Sequence, residues 1–212
     1  MKQTQLVLWD WNGTLLNDLA FSIDLLNQLL RENGYPQQFS TRQYRTIFGF
    51  PIEDYYRRAG FDFDKHPFSV LAQRYMQMYA NAEHCKLSEG CKKTLSSILQ
   101  QGITQVVLSA SPLPLLQRQL EFYGLRGYFN EVLGLSDIYA KSKVELGKQW
   151  MQTSGFDPAT AVMVGDTLHD AEVARALGVR CVLYSGGHQS HRILSEADCP
   201  VIDRLSQLSA FL

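Results

Sequence analysis

The chain has 212 residues, of which 45% are hydrophobic and 19% charged, and its net charge is −1. That is enough chain for one large domain, or for a domain carrying an insert. Without a run of like charge, neither a nucleic acid nor a membrane surface is an expected partner. No stretch approaches the roughly 18 consecutive apolar residues of a membrane span, and no charged, apolar leader opens the chain, so a cytoplasmic location is expected. The cysteines, Cys85, Cys91, Cys181 and Cys199, form no Cys-x-x-Cys pair, which argues against zinc and for free thiols.

The first element is a short apolar run, Leu6, Val7, Leu8 and Trp9, that stops at Asp10 and is followed by Asn12, Gly13 and Thr14. Such a run, bounded by turn residues, reads as a buried parallel strand whose tip points a carboxylate into a ligand crevice. Leu15, Leu19, Ile23, Leu26 and Leu30 then recur at helical spacing and predict a helix over 15–33, ended by Gly34 and Pro36. Further helices are predicted at 40–48, with Ser40 as cap, at 52–59 and at 68–83. Phe48-Gly49-Phe50 reads equally as a helix–helix turn and as a loop reaching toward a ligand. No strand is expected between Leu16 and Cys85.

From Leu87 strands and helices alternate. Strands are predicted at 105–108, 131–135, 161–164, 181–184 and 201–202, and helices at 90–101, 115–123, 142–153 and 171–177, with one more at the end. Alternation of this kind implies an α/β fold with a parallel sheet and right-handed crossovers. The first strand belongs to that sheet, so an all-helical unit (16–86) is inserted into a core made of 1–15 and 87–212.

Polar groups collect at the strand ends. The first strand offers Asp10 and Asn12, the second Ser109, the segment after the third Lys141 and Lys143, and the fourth Asp166, Thr167 and Asp170. Taken alone, an Asp after a strand is a cap or turn residue. Three carboxylates at one mouth repel one another, and a hard dication with oxygen ligands resolves the conflict; Mg²⁺ suits a site that also admits water and a phosphate. A serine hydroxyl and a lysine are what a phosphoryl group needs, and the remaining carboxylate can attack phosphorus.

These motifs, Asp10-Trp11-Asn12-Gly13-Thr14-Leu15, Ser109, a lysine, and Gly165-Asp166-Thr167-Leu168-His169-Asp170, resemble those of the haloacid dehalogenase superfamily of phosphohydrolases. Leu87-Ser88-Glu89-Gly90 and Tyr128-Phe129 are similar to its phosphoglycolate-phosphatase-like branch, which has a helical cap inserted after the first motif. The resemblance implies a Rossmann-like core and a Mg²⁺-dependent phosphatase acting on a small phosphorylated metabolite, monomeric or homodimeric. It also implies Asp10 as nucleophile; Asp10, Asp166 and the Asn12 carbonyl as metal ligands, with Asp170 ligating or orienting through water; and Ser109 and Lys143 on the phosphoryl group. Lys143 is favoured because it opens a helix, with Lys141 as the alternative. Trp11, Gly13, Thr14, Ser109, Ala110 and Lys143 are the expected substrate contacts, Trp11 by facing the cap.

The pattern departs from the family at Asn12, where an aspartate usually protonates the leaving alkoxide and then deprotonates water. An amide does neither. Acyl and aryl phosphates, whose leaving groups need no proton, should be favoured, and His169 or His188 is a candidate substitute. The same departure leaves open a phosphotransferase or mutase, or a catalytically weakened phospho-ligand binding protein.

Overall fold

A computed structural model of the protein describes residues 3–80, 85–135 and 142–212. The predicted first strand is β1, Leu6–Trp9, with all of its side chains buried. The chain then forms a two-residue strand, β2 (Leu16–Asn17), and four helices: α1 (Leu19–Glu32), α2 (Thr41–Ile47), α3 (Ile52–Ala59) and α4 (Phe68–Tyr79). It returns through β3 (Lys86–Leu87), which pairs antiparallel with β2. This short ladder stands where no strand was expected, because two residues are too few to carry a period of two.

The alternating half follows: α5 (Cys91–Gln100), β4 (Thr104–Pro112), α6 (Leu113–Phe122), β5 (Glu131–Leu135), α7 (Lys143–Ser154), β6 (Ala161–Gly165), α8 (Leu168–Leu177), β7 (Arg180–Tyr184), α9 (His191–Leu194) and β8 (Val201–Ile202). A 3₁₀ helix, Leu205–Phe211, stands where a terminal α-helix was predicted. The strands form one six-stranded parallel sheet in the order β5-β4-β1-β6-β7-β8. The protein is therefore α/β, as expected.

Central β1 feeds both faces of the sheet. Val7 and Trp9 pack with Leu95, Leu116 and Leu120 on one side; Leu6 and Leu8 pack with Met163, Val173 and Leu177 on the other. A strand covered on both faces needs apolar residues at every position, which is why the run shows no alternation. Helices α1 to α4 enclose a separate apolar cluster that includes Leu26, Leu29, Leu30, Tyr44, Tyr55 and Leu71. Among the described residues no helix is long and apolar enough to cross a membrane.

Candidate active site

Strand ends bring the predicted carboxylates together. Asp10 follows β1, and its amide donates to the Val164 carbonyl at 2.8 Å, tying it to the end of β6. Asp166 follows β6, and Asp170 lies in the first turn of α8. There Asp170 Oδ2 accepts from the amides of Asp166 (3.1 Å) and Thr167 (3.0 Å) and from the Thr167 hydroxyl (2.7 Å). A carboxylate in this position satisfies helix-end N–H groups that have no partner within the helix. Oxygens of Asp10, Asp166 and Asp170 lie within 4.8 Å of one another, and all three residues are buried.

Lys143, the first residue of α7, is only 3% exposed. Its Nζ donates to Asp10 Oδ1 at 2.5 Å and to Asp170 Oδ1 at 2.6 Å. Lys141, the alternative, lies outside the described residues. Ser109 is buried, and its Oγ accepts from the Ser111 amide at 3.1 Å. Thr14 Oγ1 stands 3.2 Å from both Asp10 Oδ2 and Asp166 Oδ1. Gly13 has φ 74°, and a Cβ there would stand 2.2 Å from Asp166 Oδ2. Only glycine fits this position, on both backbone and steric grounds. Gly13 and Thr14 thus pack directly against the carboxylates.

Trp11 is a correction. It is fully buried in the sheet core, donates from its indole to Gln119 Oε1 at 2.8 Å and packs on Tyr123 at 6.1 Å. It packs in the core cluster with Leu116 and Leu120 and does not line the cavity; the apolar surface of α6 and its buried Gln119 hold it there.

Sequence reasoning missed a second cluster, centred on Asp18. Its Oδ1 accepts from the Gly13 amide (2.8 Å) and contacts His188 Nε2 (3.1 Å); its Oδ2 accepts from Asn12 Nδ2 (3.2 Å) and from the Tyr79 hydroxyl. Asn12 Oδ1 accepts from the Ser111 hydroxyl at 2.6 Å. His188 is buried, with Nδ1 at 2.9 Å from the Tyr44 hydroxyl, and its amide donates to Asp166 Oδ2 at 2.6 Å. The helix predicted from residue 15 put Asp18 inside it. The structure starts α1 at Leu19, which leaves Asp18 as the N-cap residue of the helix, with its carboxylate directed back to the Gly13 amide.

The haloacid dehalogenase-like hydrolase family profile matches residues 7–184. The chain belongs to this family. The hydrolase is 28% identical over 220 residues to a phosphoglycolate phosphatase from Pseudomonas fluorescens, covering 96% of this chain and 78% of that one. It is 24% identical over 210 residues to the probable phosphatase IndB from Dickeya dadantii, covering 96% and 91%. Its fold matches that of a haloacid dehalogenase-like hydrolase from Streptococcus pneumoniae with a TM-score of 0.85 at 20% identity, over 100% and 99% of the two chains.

Burial raises the Asp10 carboxyl of the hydrolase to about 6 against the opposing charge of Lys143. Burial also raises Asp166 to about 8, opposed by His188 and reinforced by Asp10 and Asp170. At Asp170 burial is outweighed by Lys143, and its pKa is lowered. At Lys143 burial is outweighed by Asp10 and Asp170, which raise it above the usual lysine value. At Asp18 burial is outweighed by the charge and hydrogen bond of His188, with help from Tyr79 and Asn12, so this carboxylate stays ionised. His188, despite its burial, is raised to about 9 chiefly by Asp18.

Above these groups lies a cavity of about 700 Å³. Asp10, Asn12, Ser109, Ala110, Lys143 and Asp166 face it from the sheet side; Tyr44, Phe48, Phe50, Tyr55, Tyr75 and Met76 face it from the helical side. The Phe48-Gly49-Phe50 segment does reach the sheet's mouth. Phe48 stacks on His188 at 4.6 Å and Phe50 on His169 at 4.5 Å. Gln189 Nε2 donates to the Phe48 carbonyl at 3.0 Å, and Arg45 donates to the carbonyls of Gly186 and Gly187.

Proposed function

We propose that this protein, an enzyme of the phosphoric monoester hydrolase class, is a Mg²⁺-dependent phosphatase of a small phosphorylated metabolite, working through an aspartyl phosphate on Asp10. The observation that carries the reading is the buried trio Asp10, Asp166 and Asp170 with Lys143 wedged between two of its members. Three buried carboxyl groups share one ammonium, so they cannot all ionise without a further cation, and an all-oxygen donor set suits a hard dication. Asp10, Asp166 and the Asn12 carbonyl would hold it. Asp170, whose oxygens already serve Lys143 and the amides of Asp166 and Thr167, would orient through water. The ion would supply charge neutralisation for the carboxylates and the incoming phosphoryl oxygens.

The side chains then divide the work. Lys143, bonded to Asp10, opposes the rise that burial imposes on its carboxyl and favours the ionised form, and the carboxylate oxygen attacks phosphorus as the ester P–O bond breaks. Lys143 and Ser109 hold the transferring group as its charge redistributes. Water then attacks the phosphoaspartate, releasing inorganic phosphate and restoring the carboxylate. Residues 16–86 would act as a cap over a core of 1–15 and 87–212, closing on substrate and excluding water. Support for this division comes from the separate helical core and from the short β2–β3 ladder where the chain leaves and returns.

The phosphotransferase and binding-protein alternatives rest on Asn12 alone and gain no further support. The test is phosphate release from a panel of phosphomonoesters with Mg²⁺, with Asp10→Asn as the blank. Turnover that disappears in the blank and in excess chelator is expected; turnover that survives Asp10→Asn would overturn the assignment.

A further inference from the structure

We propose that the substrate is an aryl phosphate: a phosphomonoester whose leaving group is a phenol, bound with its ring in the aromatic cavity above Asp10. The inference rests on the hydrolytic reading above and adds the chemistry of the leaving group. Two independent observations converge on it.

The first is the cavity wall. Phe48, Phe50, Tyr55, Tyr75 and Met76 present rings and a thioether to a space of about 700 Å³, which is far larger than a phosphate and a two-carbon acid require. Aromatic walls bind rings by offset and edge-on packing, and a thioether adds to this. Among the described lining residues there is no arginine, and Lys143 is the one lysine. Lys143 is engaged by Asp10 and Asp170, His188 by Asp18 and His169 by Glu172. A phosphorylated carboxylic acid would bring a second anion to a lining whose described residues leave it no unpaired cation.

The second observation is that the described groups able to protonate the leaving oxygen are engaged elsewhere, His169 among them, with its Nδ1 3.0 Å from Glu172 and its ring against Phe50. Asn12 has no proton to give, and the donors packed around it are already engaged. The Tyr79 hydroxyl and the Gly13 amide donate to Asp18, whose carboxylate also holds His188 Nε2, and the Ser111 hydroxyl donates to Asn12 itself. An alkoxide leaves poorly without protonation, whereas a phenolate is stable enough to leave as the anion. In the first step the Asp10 Oδ–P bond forms and the P–O(aryl) bond breaks, with its electron pair remaining on the phenolate oxygen, which takes a proton from solvent. In the second, one water adds to phosphorus, the Asp10 Oδ–P bond breaks, and the water's proton passes to the released phosphate and solvent.

Aryl phosphates react readily with many phosphatases, so the test must separate recognition from reactivity. Calorimetry with Mg²⁺ would compare three non-hydrolysable phosphonates on the full-length protein: 2-naphthylmethylphosphonate, methylphosphonate and 3-phosphonopropionate. We expect the naphthyl compound to bind on the order of tenfold or more tightly than either of the others, since a buried ring removes much apolar area from water. In Met76→Lys that advantage should shrink several-fold while 3-phosphonopropionate gains. Equal affinities for the three, or a preference for 3-phosphonopropionate, in the unmodified protein would overturn the proposal. Loss of hydrolysis with the naphthyl preference intact would instead refute the hydrolytic reading and leave the aromatic specificity standing.

Discussion

Replacing Asn12 with aspartate would restore the residue that the family usually carries, and the structure predicts that it is costly here. Asn12 Nδ2 donates to Asp18 Oδ2 at 3.2 Å. A carboxylate in its place sets two anions at about that separation, a repulsion of about 5 kcal/mol at an effective dielectric near 20. The fold escapes by holding a proton on the pair. For a group with an ordinary pKa near 3.9, staying protonated at pH 7 costs about 1.4 kcal/mol per pH unit, or about 4 kcal/mol in all. Asn12 is partly solvated and His188 offsets some of the charge, so a net loss of about 2–4 kcal/mol at pH 7 is expected. The new group's folded pKa lies above its unfolded value. Its penalty is therefore absent below about pH 4 and grows as pH rises toward the folded pKa. Urea titrations of Asn12→Asp and the unmodified protein at pH 5 and pH 8 would measure this. The same retained proton makes residue 12 a general acid, so the ratio of alkyl to aryl phosphate turnover should rise at least about tenfold, within the usual range for such catalysis. A variant as stable as the parent at both pH values would refute the claim that Asn12 is matched to the Asp18 carboxylate.

Removing the Lys143 ammonium as Lys143→Met leaves Asp10 and Asp170 buried without their cation. In thermal or urea melts this should cost about 3–5 kcal/mol without metal, and turnover should fall by about 10²-fold or more. Asp166, raised by burial to about 8, must lose its proton before it can ligate a dication. Mg²⁺ affinity measured by calorimetry should therefore strengthen by about tenfold per unit from pH 6 to pH 8 and level off above. Without metal, the raised Asp10 and Asp166 make the sign of the stability trend opposite: the melting temperature should fall as pH rises from 5 to 8. Trp11→Phe loses the indole donor to Gln119 and should destabilise by about 1–3 kcal/mol. KM should stay unchanged, because Trp11 lies in the sheet core; a raised KM would return it to the substrate side.

Much of the fold could be read from the residues. Strands β1 and β6 are apolar runs that stop at turn residues; β5 came out at its predicted bounds, Glu131–Leu135, as did helix α3, Ile52–Ala59. The sites at strand tips follow from that periodicity, because in a parallel sheet every strand ends at the same mouth. What escaped was set by contacts distant in sequence. Strand β4 continues to Pro112 although Ser109-Ala110-Ser111-Pro112 reads as a turn; it pairs onward with Leu135 after a break in register at Leu108. Trp11 turns inward because Gln119, 108 residues away, accepts its indole N–H. Asp18 and His188 are 170 residues apart, and the Tyr79 and Tyr44 hydroxyls that contact them come from two further helices. A histidine in a Gly-Gly-His loop carries no local sign that it will be buried.

The claim at the centre of this account is that Asp10 is the nucleophile. Rapid quenching of the protein with Mg²⁺ and a phosphoryl-radiolabelled aryl phosphate tests it most directly. A hydroxylamine-sensitive label is expected on the peptide containing Asp10, formed and lost fast enough to support turnover and absent in Asp10→Asn. Turnover with no protein-bound label under conditions that trap an aspartyl phosphate, or a label that persists in Asp10→Asn, would contradict it.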